Sequence, residues 1–320
     1  MRDFRSIVNI IGLLLCIEAT ALLIPMFFDI YYKNQDWLQF LYSSLITFFI
    51  GIILYFSFRK KNIKLGIRQA FLLTISSWFV IALFGALPFI YSSSDLSYTD
   101  AFFESVSGIT TTGSTVINNL ENLSEGILIW RSLLQWFGGI GIIVLAMAIL
   151  PTLQIGGMQL LHMEHDDPYE KTIPKVNKFV LELFLMYISL SVLCGVLYFF
   201  SGMSEFDSII HAMTTISTGG FSNYDQSFSY FKSFQIEFVS VIFMLVGSLP
   251  FVLYLQFLHR QNKTIFKDDQ IKLFFLVLVI IVLLTTVWLN SYQSTDIFQS
   301  FRIALFNITS ILTGTGYTSS

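Results

Sequence analysis

Ala101-Phe102-Phe103-Glu104-Ser105-Val106-Ser107-Gly108-Ile109-Thr110-Thr111-Thr112-Gly113 is an apolar stretch that closes on three threonines and a glycine. The same design returns in Asp207-Ser208-Ile209-Ile210-His211-Ala212-Met213-Thr214-Thr215-Ile216-Ser217-Thr218-Gly219. It returns again in Ala304-Leu305-Phe306-Asn307-Ile308-Thr309-Ser310-Ile311-Leu312-Thr313-Gly314-Thr315-Gly316. Aligned without gaps, the three place an apolar half-helix before a Thr-Gly dipeptide, with Gly113, Gly219 and Gly316 spaced 106 and 97 residues apart. A repeat at a fixed period is the strongest statement a single sequence makes about architecture.

Working outward, the three short stretches lie near 98–109, 204–215 and 296–311, each too short or too polar to cross a bilayer. A spanning helix needs about 20 apolar residues. Stretches of that length occur near 7–28, 38–57, 69–91, 127–149, 177–200, 236–258 and 271–290. The expected unit is therefore helix, short stretch, helix, repeated about every hundred residues. Composition agrees: of 320 residues 54% are hydrophobic, 17% aromatic and only 12% charged, against about 25% charged in soluble domains. The aromatic residues read as lipid-facing surface and core. The net charge of −3 argues against a nucleic-acid partner.

Charge placement orients the chain. With the N-terminus in the cytoplasm, segments 1–6, 58–68, 150–178 and 259–272 face inward and hold fourteen of the 18 Lys and Arg residues. Lys33, Arg131, Lys232 and Arg302 remain outside. This positive-inside asymmetry survives only if each short stretch enters and leaves on the outer side, as a re-entrant loop. Irregular backbone at membrane depth is tolerated where it lines a watery cavity. A half-helix aiming its C-terminal end inward favours cations there, glycine allows unusual backbone angles, and carbonyl oxygens can replace the hydration shell of potassium.

Several motifs resemble the TrkH-like membrane subunits of the Trk/Ktr potassium-uptake superfamily. Phe84 to Pro88, Phe103 to Gly108 and Thr110 to Gly113 resemble the first pore loop. Trp130-Arg131-Ser132 and Gln135-Trp136-Phe137-Gly138-Gly139-Ile140-Gly141 through Leu145 resemble the helix that follows it. Ile149-Leu150-Pro151 with Gly156 to Leu160 resembles the cytoplasmic turn, Ser217 to Ser222 the second filter, and Thr313 to Tyr317 the third. The resemblance implies an all-α polytopic membrane protein with re-entrant pore loops around a pseudo-fourfold ion pathway. It implies potassium uptake through a selectivity filter formed by Thr111, Thr112, Gly113, Ser217, Thr218, Gly219, Gly314, Thr315 and Gly316, with potassium as the transported ion and no cofactor. It further implies a homodimer in the cell membrane, surrounded by lipid and seated on a cytoplasmic nucleotide-binding regulatory ring (TrkA/KtrA-like). The expected organisation is two leading helices in 1–66, repeat one in 67–158, a cytoplasmic loop and repeat two in 159–268, and part of repeat three in 269–320. Against the four-repeat family the chain stops at Ser320, before the closing helix of repeat three. A fourth repeat, which carries a basic residue near the pore, is expected beyond it. As written, the polypeptide is not expected to conduct.

Other readings attach to particular residues. A sodium-coupled or less selective Na+/K+ transporter would also use broken helices at the midplane, usually in inverted repeats. The cluster His162, Glu164, His165, Asp166 and Asp167 suggests a metal site or a membrane-embedded hydrolase, but it lacks His-Glu-x-x-His spacing and reads as a solvated loop. Gly138, Gly139 and Gly141 follow no strand, so they suit close helix packing better than a dinucleotide. Cys16 and Cys194 sit in apolar runs as buried hydrophobes. Glu104 and His211 lie on half-helices, where either braces a filter loop through hydrogen bonds or Glu104 concentrates cations. Asp207 is expected to cap its helix, and Glu18 is out of place in an apolar span.

Overall fold

The structure, a computed structural model, describes residues 4–59, 67–92, 96–153, 172–258, 268–293 and 296–319. The cluster from His162 to Asp167 lies outside these residues. So do Arg2, Lys60, Lys61, Lys64, Lys171, Arg260, Lys263 and Lys267, on which the orientation rests. Among the described residues there are helices and short 3-10 turns but no strand. Among the described residues, five helical stretches are long and apolar enough to cross a membrane: Arg5–Tyr32, Trp37–Ser57, Arg68–Tyr91, Val180–Phe200 and Asp269–Tyr292.

The chain divides into two compact units, one of Met1–Thr110 with Ser114–Pro168 and one of Thr111–Gly113 with Tyr169–Ser320. In the first, α1 (Arg5–Ala21) and α2 (Leu23–Tyr32) form the expected first span, interrupted at Leu22. Pro25 accounts for the interruption, because it has no N–H to offer the carbonyl four residues back. α3 (Trp37–Ser57) runs against α1. The pair approach through glycines: a Cβ on Gly12 would lie 2.5 Å from the Tyr55 nitrogen, and one on Gly51 would lie 3.0 Å from Cys16 Sγ. Asn9 donates to the Tyr55 carbonyl at 2.7 Å and Ser44 to the Ala19 carbonyl at 2.7 Å. Small residues and polar ties of this kind bring helices together where lipid removes the hydrophobic drive. The first repeat follows as α4 (Ile67–Gly85), α5 (Leu87–Tyr91), the short α6 (Tyr98–Ile109) and α7 (Glu125–Leu153), with α6 packed against both α4 and α7.

The second unit repeats that plan. α8 (Thr172–Phe200) and α10 (Phe234–Ser248) flank the short α9 (Glu205–Ile216), while α12 (Asp269–Gln293) and α10 flank α13 (Ile297–Thr313). The inward face of α12 buries Leu278, Val282 and Leu289 against Ala304 of α13, and its outer face leaves Leu284 and Val287 exposed. An apolar outer face suits a lipid solvent. One span departs furthest from the sequence reading. Residues 236–258 are not one helix but α10 followed by α11 (Phe251–Leu258), because Pro250 drives Leu249 into extended backbone at φ −77°, ψ 148°.

Candidate functional site

The three short helices occur where the sequence places them, and each starts on a side-chain cap. Ser97 Oγ accepts from the Asp100 N–H at 3.2 Å and donates to the Asp100 carboxylate at 2.7 Å. Ser204 and Asp207 repeat the arrangement at 3.0 and 2.7 Å. This is the N-cap half of a capping box, with the acid three residues on held by the serine hydroxyl. The cap of α9 is thus Ser204, and Asp207 supports it from three residues on. In α13 the cap is Asp296, accepting from Phe298 N–H at 3.2 Å.

Beyond each helix the chain adopts one backbone pattern three times. Left-handed residues alternate at Thr111 and Gly113, at Thr218 and Gly220, and at Gly314 and Gly316. The second and third loops share their hydrogen bonds too. Gly219 N–H and Gly220 N–H reach the Thr214 carbonyl at 2.9 and 3.4 Å; Thr315 N–H and Gly316 N–H reach the Ser310 carbonyl at 2.9 and 3.4 Å. The geometry therefore pairs Gly113 with Gly220 and Gly316. Gly219 occupies the place of Thr112 and Thr315. The gap-free alignment on Thr-Gly slips by one residue in the second repeat, whose true offsets are 107 from the first (113 to 220) and 96 to the third (220 to 316). Thr111 and Thr218 hold φ of 55° and 50°, a conformation β-branched residues avoid, at roughly 1–3 kcal/mol each.

The corrected register reveals a brace that the alignment concealed. Glu104, His211 and Asn307 fall at one position on their three helices, and each ties down the chain just past its loop. Glu104 accepts from Thr115 Oγ1 at 3.0 Å and from the Val116 N–H at 3.2 Å. His211 Nε2 lies 3.1 Å from Ser222 Oγ. Its Nδ1 is 2.8 Å from the Asp207 carbonyl, which only accepts, so Nδ1 carries a proton. Asn307 donates to Ser319 Oγ at 3.1 Å and accepts from the Ser319 N–H at 3.3 Å.

Within the second unit, Thr111–Gly113 meets the other two loops. A Cβ on Gly113 would collide with the Gly219 carbonyl oxygen and stand 3.6 Å from that of Thr315, and one on Gly220 would collide with the Thr315 oxygen. Backbone therefore packs on backbone, and only glycine permits the approach. Tyr317 anchors the third loop to α9: its hydroxyl lies 2.6 Å from Thr214 Oγ1 and 3.2 Å from Thr215 Oγ1, with its ring 4.3 Å from that of Phe228. Asp207 receives hydrogen bonds from Asn223 at 2.8 Å and Tyr224 at 3.0 Å. Burial, aided by the Asp207 carboxylate, pushes the Tyr224 phenol well above its ordinary range, so it remains a donor.

Two of the four basic residues on the expected outer side are paired. Arg131 Nε donates to Glu104 at 2.8 Å in a pair almost wholly buried. Arg302 binds Glu237 through two hydrogen bonds of 2.7 and 2.8 Å. The sequence reading missed Gly220, Asn307, the Tyr317 hydroxyl and both ion pairs. The Ser-x-x-Asp boxes at 97–100 and 204–207, themselves 107 residues apart, were the available signal for the register. Among the described residues no cluster of His, Cys, Asp and Glu suits a metal, and Cys16 and Cys194 are free thiols.

The sequence matches the family described as TrkH, cation transport protein, over residues 38–319. The chain belongs to that family. The Trk system potassium uptake protein TrkI of Halomonas elongata is 38% identical over 320 residues, covering 100% of this chain and 65% of the relative. TrkH of Escherichia coli K12, also named a Trk system potassium uptake protein, is 38% identical over 322 residues, covering 99% of this chain and 66% of its own length. The crystal structure of the potassium transporter TrkH from Vibrio parahaemolyticus superposes with a TM-score of 0.90 at 36% identity, covering 100% of this chain and 66% of that one. The chain thus spans just under two thirds of the length of these TrkH-family relatives, which are named as uptake proteins and not as enzymes. Family and helical architecture together make it a multi-pass membrane protein.

Proposed function

We propose that the chain supplies three of the filter loops of a potassium-uptake protein, and that Thr111–Gly113, Ser217–Gly220 and Gly314–Gly316 line the ion path. The observation that carries this reading is the threefold alternation of left-handed residues at 111 and 113, 218 and 220, and 314 and 316. Alternating backbone hands turn successive carbonyls toward one side. Such oxygens replace the water that a potassium ion sheds. The half-helices present their C-terminal ends to the loops, adding negative potential where a cation loses its hydration. Arg131 and Arg302, whose positive charge would oppose cations, are neutralised by Glu104 and Glu237.

In this reading the half-helices are re-entrant from the outer side and the N-terminus is cytoplasmic. In the whole protein a further loop completes a pseudo-fourfold ring. Potassium moves inward through a channel-like path regulated from the cytoplasm by a nucleotide-binding ring, with two copies of the protein in the assembly. The names of the relatives support potassium as the ion. Rubidium uptake into potassium-starved cells lacking their own uptake systems tests the reading. The full-length protein should restore uptake and Gly113→Ser should abolish it at equal membrane expression. Uptake unaffected by Gly113→Ser would overturn it.

A further inference from the structure

Glu18 lies on the inward face of α1, is only 6% exposed, and neither of its carboxylate oxygens has a hydrogen-bond partner. Opposite it stands Gly85, the last residue of α4. A Cβ added to Gly85 would be 3.1 Å from Glu18 Oε1, 2.7 Å from Ser105 Oγ and 3.3 Å from Leu134 Cδ2. Ser105, on α6, is fully buried, and its hydroxyl is also without a partner. The Gly85 carbonyl is already taken by Trp130 Nε1 at 2.8 Å. The missing side chain of Gly85 therefore leaves two unsatisfied polar groups converging on one small niche walled by Leu134.

Among the described residues no counter-charge is at hand; on α1 itself the positive charge is Arg5, at the start of the helix. Facing α1, α3 brings only Tyr42 and Tyr55 as ionisable groups, and α4 brings only Arg68, at its opposite end. On α2, Asp29 is occupied by Asn34 and the Gly126 N–H, with Tyr31 and Tyr32 beyond it near the helix end. On α5, Tyr91 is exposed. On α6, Asp100 belongs to its cap and Glu104 is bound to Arg131 of α7. On α7, Glu125 accepts from Asn34. A carboxylate buried among apolar groups without partner or counter-ion takes up a proton instead of remaining charged.

We propose that Glu18 is an intramembrane proton-binding site, holding its proton in the Gly85 niche that it shares with the Ser105 hydroxyl. The proton moves between water and one carboxylate oxygen, and no other bond changes. Ser105 adjoins Glu104, which holds Thr115 and Val116 behind the first loop. The site thus sits beside the brace of that loop and does not depend on which ion the pore passes.

Infrared difference spectroscopy of the full-length protein in lipid tests this at neutral pH. Wild type minus Glu18→Gln should show the loss of one protonated-carboxyl carbonyl band. Loss of the paired stretches of an ionised carboxylate, with no acid band, would overturn the proposal. Should Glu18→Gln fail to fold, Gly85→Ala provides the second arm, because its methyl group enters the niche. The same acid band should then shift in frequency, and an unshifted spectrum would equally overturn the assignment.

Discussion

Alanine at Gly220 and alanine at Gly219 should behave very differently, although the two glycines are neighbours. Gly220 holds φ at 79°, and a Cβ there would collide with the Thr315 carbonyl oxygen. The left-handed conformation alone costs an L-residue roughly 1–2 kcal/mol. The collision involves backbone, so no side-chain rotation relieves it. Thr315 is also fixed by its N–H bond to the Ser310 carbonyl at 2.9 Å. Forcing an extra carbon into such packing adds roughly 1–3 kcal/mol. The sum, about 2–5 kcal/mol, reduces the population of the native loop by roughly thirty-fold to a few thousand-fold. Gly219 is not among the left-handed residues, so alanine there meets no such backbone penalty. Rubidium uptake by the two full-length variants at matched membrane expression measures the contrast. Equal losses from Gly219→Ala and Gly220→Ala, or wild-type uptake by Gly220→Ala, would refute the register derived from the backbone.

Three further outcomes follow from the same geometry. Arg131→Met leaves Glu104 buried without its partner and should cost about 3–5 kcal/mol, seen as a lower thermal midpoint in detergent; adding Glu104→Gln should recover most of the loss, and no recovery would contradict the pairing. Tyr317→Phe removes hydrogen bonds to Thr214 and Thr215 and should cost about 1 kcal/mol, whereas Tyr317→Ala also empties the site beside Phe228 and should cost about 3–5 kcal/mol; equal midpoints for the two would show that the ring is not packed. Because burial raises the Tyr224 phenol above its ordinary 10.0, the fold favours its neutral form. That contribution is complete below the unfolded value and fades as pH climbs toward the folded one. Ultraviolet titration of wild type minus Tyr224→Phe should show no phenolate from this residue at pH 10.0, and a phenolate signal there would contradict the buried hydrogen bond to Asp207.

The half-helices were legible because their signal is local. Apolar stretches at 98–109, 204–215 and 296–311 end in small and hydroxyl residues, and the helices span Tyr98–Ile109, Glu205–Ile216 and Ile297–Thr313. The register of the loops was less legible, because the second repeat carries two successive glycines, which only the backbone angle or the distant Ser-x-x-Asp spacing distinguishes. Thr111 and Thr218 compound the ambiguity by taking left-handed angles that residue type would assign to glycine, as Gly314 does in the third loop. The brace at Glu104, His211 and Asn307 uses three unlike side chains for one task, so no residue pattern announces it. Ion pairs such as Glu237 with Arg302, 65 residues apart, depend on helix packing that apolar periodicity does not encode. Pro250 was visible in the sequence, but hydrophobic length alone masks a helix break.

The most direct test of the central claim is anomalous diffraction from crystals of the full-length protein grown in rubidium. Anomalous density bounded by backbone oxygens of residues 111–113, 217–220 and 314–316, lost when sodium replaces rubidium, is the expected result. Rubidium bound elsewhere, with the three loops empty at full rubidium occupancy of the crystal, would contradict it.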